Sequence, residues 1–232
     1  MSDVTVERDD AVVTIALNRG PHNFLDTGVV RDLADAFAEA SATANCILLR
    51  AHGRNFSGGR DFSSPRSDDD QPEDLYREAA RLLGCPIPVV AAVTGAAVGA
   101  GLGLALVADL RVGSPETRFE APFAKLGTQQ GFALTHTLAA ATTPQIARRM
   151  LLTGAPVHGE EARRVGLLDV LVPDRASIHP EALALARRVA SYPRGAVAAI
   201  RRSLLAPTYD PAAIMEAEAA GQRALRDGDA AP

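Results

Sequence analysis

Two glycine-rich segments hold the residues whose types and spacing could do chemistry. In HGRNFSGGRDF, His52 to Phe62, an apolar stretch enters Phe-Ser-Gly-Gly, and adjacent glycines leave backbone amides free of side-chain cover. That suits binding of an anion or an oxyanion. In VTGAAVGAGLGLALVADL, Val93 to Leu110, a strand turns into a helix whose first turn is almost wholly Gly and Ala. Its N-terminal amides can be approached closely by a ligand. Taken singly, each segment is also a common packing device. His136, in the apolar context FALTHTLAAA, is the best titratable candidate, although a lone His there more often packs than reacts. Gln129 and Gln130, just upstream, carry amides that could orient water or a substrate carbonyl without titrating. Other chemistries lack their signatures: there is no GxxxxGK[ST], no HExxH, the glycines at 99, 101 and 103 do not make GxGxxG, and Ser57 sits in no GxSxG elbow. Cys46 and Cys85 have neither metal-ligand nor disulfide-framework spacing and read as buried thiols, so no metal is expected.

The elements that must position these segments follow from hydrophobic period and breakers. Val4–Glu7 and Val12–Leu17 alternate as a hairpin around Arg8-Asp9-Asp10. From Gly28 to Ala44 apolar residues recur every fourth position, a helix that Asp26 or Thr27 can cap. Ile47–Ala51 is a buried strand. Strand, helix and strand then recur as Val89–Thr94, Gly99–Ala108 and Leu110–Val112, which favours α/β. The acidic, turn-rich stretch Ser63–Asp74, with its Asp68–Asp70 run, reads as a solvated loop, and Pro72 can open a helix to Gly84. Phe119–Phe123 reads as a strand with Glu120 facing opposite to Phe119, Ala121 and Phe123. After Pro173 only helices are expected, near Ile178–Ser191, Gly195–Ala206 and Pro211–Arg226. The expected organisation is a core over residues 1–173 and a helical C-terminal region over 174–232 available for oligomer contacts.

Bulk properties narrow the partners. At 232 residues and 47% hydrophobic the chain can bury a large core. A net charge of −4, no Trp and 4% aromatics argue against nucleic-acid binding. No apolar run is long enough to span a bilayer, and the polar, acidic start is unlike a secretory signal, so a cytoplasmic protein is expected.

The two glycine-rich segments, in this order, resemble the crotonase (enoyl-CoA hydratase/isomerase) superfamily. Phe56–Gly59 is similar to its Phe-Ala-Ala-Gly turn and the segment Val93 to Leu110 to its Asn-Gly-x-x-x-Gly-Gly-Gly segment. Leu17-Asn18-Arg19 with Asn23, Ala108–Arg111, Phe119–Gly127, Thr153-Gly154 and Glu161–Leu167 extend the likeness over roughly residues 4 to 226. The resemblance implies a spiral of repeated β-β-α units with a helical C-terminal region, assembled as a trimer or a dimer of trimers. It implies an acyl-CoA thioester as substrate, with coenzyme A part of that substrate and no tightly bound cofactor. The N–H groups of Gly58 and Ala100 would form the oxyanion hole; Asn23, Phe24, Leu25, Ser57, Gly59, Arg60 and Asp61 would line the coenzyme A portion. The two hydratase glutamates fall at Gly103 and Phe123, which would instead line the substrate pocket and cannot move a proton. The chain also stops at Pro232, short of a family Lys-Arg pair near coenzyme A. Three functions stay open: an enolate-stabilising acyl-CoA enzyme with atypical proton transfer, a decarboxylase or C–C hydrolase of the superfamily, and a noncatalytic acyl-CoA binder.

Overall fold

The computed structural model describes residues 2–60, 72–205 and 210–227. The chain opens with β1 (Val4–Asp9) and β2 (Val12–Leu17), paired antiparallel. Their turn is Asp10-Ala11, tighter and later than Arg8-Asp9-Asp10, because Asp10 accepts the left-handed φ of 53° that a two-residue turn demands. Helix α1 (Thr27–Thr43) starts where Asp26 caps it, accepting from the Val29 N–H at 2.9 Å. Its stripe Val29, Val30, Leu33, Ala34, Phe37 and Ala40 is buried.

From here the chain steps across one sheet. Strands β3 (Cys46–Ala51), β4 (Val89–Ala92), β6 (Leu110–Gly113) and β9 (Val170–Leu171) extend it in the order β1-β2-β3-β4-β6-β9. Every pairing after the hairpin is parallel. Both faces are therefore covered, and β2 and β4 are buried at every residue. A second sheet holds β5 (Ala96–Val98), β7 (Arg118–Glu120) and β8 (Val157–His158). Helix α2 (Pro72–Leu83) joins β3 to β4, and α3 (Ala100–Ala105) follows β5 directly. Helices α4 (Leu134–Ala141), α5 (Pro144–Thr153) and α6 (Gly159–Val165) close the region before β9. This is the expected α/β architecture, with a helical C-terminal region.

The C-terminal helices are α7 (Ile178–Ala190), α8 (Arg194–Leu205) and α9 (Pro211–Asp227). They are not the appendage suggested by a boundary at residue 173. Helix α7 buries Ile178, Ala182, Ala186 and Ala190 against Val12, Cys46, Leu48, Val90, Ala92 and Val112 of the large sheet. Without it that face would be exposed. Arg201 ties α8 down, donating to Asp109 Oδ2 at 2.8 Å and to the Cys85 carbonyl. Helix α9 returns to α2, where Tyr76 and Gln222 are hydrogen bonded and Arg223 pairs with Glu73. Cys46 and Cys85 are buried and unpaired with each other, and burial pushes the Cys46 thiol up to about 12. Among the described residues no helix is long and apolar enough to cross a membrane.

Candidate functional site

The segment Phe56–Arg60 lies between two neighbours. On one side Ser57 N–H donates to the Ala96 carbonyl at 3.1 Å and Val98 N–H to the Ser57 carbonyl at 3.0 Å. On the other, Gly58 N–H donates to the His22 carbonyl at 2.7 Å and Leu25 N–H to the Gly59 carbonyl at 2.8 Å. Glycine is required where these strands touch. Gly59 has φ of 88°, and a Cβ there would meet the Val98 carbonyl oxygen at 2.5 Å; a Cβ on Gly101 would meet the Ser57 carbonyl oxygen at the same distance.

This pairing overturns one assignment. The Gly58 amide, expected in the oxyanion hole, is spent on His22. Gly99 precedes α3 with φ of 55°, a conformation that favours glycine, and gives its own N–H to the Glu120 carbonyl. Ala100 is then the first helical residue, whose N–H has no intrahelical acceptor, and no other acceptor among the described residues takes it. Ala100 is 9% exposed. Opposite it by register lies Arg60, three residues beyond the Ser57↔Ala97 bridge. Arg60 is the centre of a parallel bridge to Leu25 that uses the Gly59 carbonyl, so its own N–H turns away from Leu25 toward the α3 side. The Ala100 nitrogen is 3.5 Å from the place a Gly59 Cβ would occupy, which puts the two amides at one locus.

The residues expected to line coenzyme A divide into two groups. Asn23 is fully buried, and its side chain is consumed internally: Nδ2 donates to the carbonyls of His52 and Asn55, both at 2.7 Å, and Oδ1 accepts from Arg19 N–H at 2.8 Å. Ser57 is equally buried, donating to the Asn23 carbonyl and accepting from Gly59 N–H. Leu25 belongs to the core. The side chains of these three shape the loop from within. Phe24 is 38% exposed and lies across Gly58, where a Cβ would meet its ring at 2.7 Å. Gly59 and Arg60 lie beside it at the amide locus, and Asp61 is outside the described residues, as are Arg66 and the Asp68–Asp70 run.

Neither glutamate-equivalent position stands ready for proton transfer. Gly103 is buried under Phe132, and a Cβ there would meet the Phe132 Cβ, Cγ and Cδ1 at 2.6 to 2.7 Å, so it does not line an open pocket. Phe123 is half-buried, with its ring edge 3.7 Å from a Cβ position on Gly99. The expected strand Phe119–Phe123 ends at Glu120, and Phe123 has the helical backbone of a short 3-10 turn, Ala124–Leu126. Glu120 is held by Arg118 at 2.5 Å and Lys125 at 3.4 Å, outside the amide locus.

The polar candidates beyond β7 lie on the loop before α4 and on α4 itself. Gln130 Nε2 donates to Thr135 Oγ1 at 2.9 Å, and the Gln129 side chain lies on Gly221 of α9 while its carbonyl accepts from Gln222. Gln129 therefore serves the contact with α9, and Gln130 is held at the start of α4. His136 is half-buried on α4, two residues after its start. The group that the sequence reading overlooked is Glu218 of α9, 2% exposed, which accepts from Ala133 N–H at 2.7 Å and from Thr135 N–H and Oγ1 at 2.9 and 2.5 Å. Its signal was a carboxylate within the stripe Met215, Glu218, Ala219, Gln222, where apolar residues belong.

Burial pushes the Glu218 carboxyl above the usual carboxylate range, against the hydrogen bonds from Thr135 and Ala133 that pull it down. A carboxyl raised in the folded state stabilises at acid pH, and that contribution is lost as pH rises through the folded value. The melting temperature of the wild type should therefore fall relative to Glu218→Gln as pH is raised from about 4 to neutrality. A constant difference across that range, measured by calorimetry, would contradict it. Among the described residues no three His, Cys, Asp or Glu side chains are grouped to hold a metal ion.

Known proteins resemble this chain in sequence and fold. Residues 7–226 match the family model described as enoyl-CoA hydratase/isomerase. The probable enoyl-CoA hydratase EchA14 of Mycobacterium tuberculosis is 36% identical over 174 residues, covering 73% of this chain and 67% of that protein. The probable enoyl-CoA hydratase echA12 of Mycobacterium bovis is 32% identical over 234 residues, 93% of this chain and 81% of its own length. Among solved structures, an enoyl-CoA hydratase/isomerase from Pseudoalteromonas atlantica superposes with a TM-score of 0.87 at 26% identity, covering 97% of this chain and 92% of that one. OdaA from Pseudomonas aeruginosa superposes with a TM-score of 0.84 at 27% identity, covering 100% and 95%.

Proposed function

We propose a function from one premise: the chain belongs to the enoyl-CoA hydratase/isomerase family. The protein takes an acyl-CoA thioester and stabilises its enolate with two backbone amides, those of Ala100 and Arg60. The observation that carries this reading is the register that sets Arg60 opposite Ala100 where Gly59 and Gly101 let the strands meet. Two N–H donors converging on one thioester carbonyl oxygen favour the state in which that oxygen becomes negative, and are worth several kcal/mol of barrier. Coenzyme A enters as part of the substrate, along the exposed Phe24 face. No tightly bound cofactor is invoked, and we place the protein in the cytoplasm as a homotrimer or dimer of trimers.

Proton transfer departs from the two-carboxylate scheme, since Gly103 packs on Phe132 and Phe123 carries no acid. The same observation favours a second reading in which a carbon leaving group generates the enolate. In a decarboxylation the bond to the carboxylate carbon breaks, carbon dioxide departs, and the electron pair remains as the enolate until a proton from water quenches it. No acid/base residue is then needed to remove an α-proton.

Incubation with short, long, aromatic, β-keto and malonyl-type acyl-CoA thioesters in deuterated water, followed by mass spectrometry, tests both readings. The enolate reading expects deuterium at the α-carbon of at least one thioester, and the second reading expects product only from the β-carboxylated or β-keto members. Tight binding with neither exchange nor product across the panel would replace both with a noncatalytic acyl-CoA binder.

A further inference from the structure

We propose that Glu218 is a positioning residue for the acyl pocket: by capping α4 from α9 it holds Phe132 against Gly103 and so sets which acyl chains the site accepts. The proposal rests on the acyl-CoA reading above.

Helix α4 has no cap of its own, because the residue before it is Ala133, which has no polar side chain. The cap is supplied across 85 residues of sequence by the Glu218 carboxylate on the Ala133 N–H, with the Thr135 N–H and hydroxyl on its other oxygen. The backbone at this point needs holding. Phe132 and Ala133 are consecutive left-handed residues with φ of 59° and 57°, a conformation that L side chains avoid and that persists only where surroundings impose it. The bend turns the fully buried Phe132 onto Gly103, filling the volume in which a side chain at 103 would lie.

That volume adjoins the thioester site. Gly103 N–H donates to the Gly99 carbonyl at 3.1 Å, so Gly103 lies one helical turn beyond the Ala100 amide. Glu218, Ala133, Phe132 and Gly103 thus form a continuous line of contact from α9 to the amide locus. Gln222, one turn further along α9, supports the same loop by donating to the Gln129 carbonyl at 2.8 Å. A side chain that caps a helix from another element leaves a local signature, and one that also sets pocket depth leaves a second.

Both can be read on the full-length protein with Glu218→Ala, Glu218→Gln and Phe132→Ala. Amide hydrogen exchange of the ligand-free protein should show Ala133 and Thr135 exchanging at least about tenfold faster in Glu218→Ala. The ratio of dissociation constants for short and long saturated acyl-CoA thioesters should shift by roughly tenfold toward the long chain. Glu218→Gln, which keeps one acceptor oxygen, should fall between wild type and Glu218→Ala, and it serves alone should the alanine variant not fold. Phe132→Ala should shift the chain-length ratio in the same direction while Ala133 and Thr135 stay protected. An unchanged ratio in a folded Glu218 variant, or in Phe132→Ala, overturns the proposal. Failure of the wild type to bind any thioester would overturn the acyl-CoA reading itself, an outcome distinct from binding with an unaltered ratio.

Discussion

Replacing Ala100 with proline is expected to lower α-proton exchange or turnover of the preferred acyl-CoA by about 100- to 1000-fold, the loss typical of removing one oxyanion donor. The substitution is unusually clean at this position. Ala100 is the first residue of α3, where proline fits the helix and no intrahelical hydrogen bond is forfeited. Gly99 before it is already non-helical, with ψ of −117°, as the residue before a proline must be. The melting temperature should therefore stay near that of the wild type while catalysis collapses. Thermal denaturation alongside the deuterium exchange assay checks both halves. Full exchange activity in a folded Ala100→Pro protein would mean that the thioester carbonyl is bound elsewhere.

Restoring a glutamate at position 103 should fail to create a hydratase and should destabilise the fold. The sequence alone invites the opposite expectation, since a single Gly103→Glu change returns one of the two family carboxylates. The packing forbids it: the new Cβ would lie 2.6 Å from the Phe132 Cβ, close to the backbone of a residue that cannot swing away as a side-chain tip could. Overpacking of this kind costs about 1–3 kcal/mol or more. A buried carboxylate without a partner adds to that, up to several kcal/mol. Denaturant titration should show a midpoint lowered accordingly, with no water addition to crotonyl-type thioesters. The double variant Gly103→Glu with Phe132→Ala should recover part of the stability, because the volume taken by the ring becomes available. Wild-type stability in the single variant would show that Phe132 is not the obstacle.

Much of the fold was legible in order and type. The Asp26 cap, the α1 stripe, the start of α2 at Pro72 and the three C-terminal helices sit where period and breakers placed them. These are local signals, set by residues within a turn or two of one another. The strand through Phe123 was misjudged because alternation of side chains continues only while the backbone stays extended. Helical dihedrals at Phe123 end it after Glu120, and the signal passed over was Pro122, which has no N–H to give a neighbouring strand.

What the sequence determined by itself was the family: two glycine-rich turns, in order, with the matching residues between them, while positions 103 and 123 carry no carboxylate. Which backbone amides are spent within the protein was decided only by tertiary structure. The N–H direction of a residue depends on the strand paired with it, and His22, 36 residues away from Gly58, claims the Gly58 N–H while the Leu25 bridge turns that of Arg60 toward Ala100. The same holds for the Asn23 side chain, which is consumed by carbonyls more than 25 residues distant. Glu218 belongs to this second category, since a helix cap supplied from another element has no local spacing to betray it and exists only once α9 has folded back over α4.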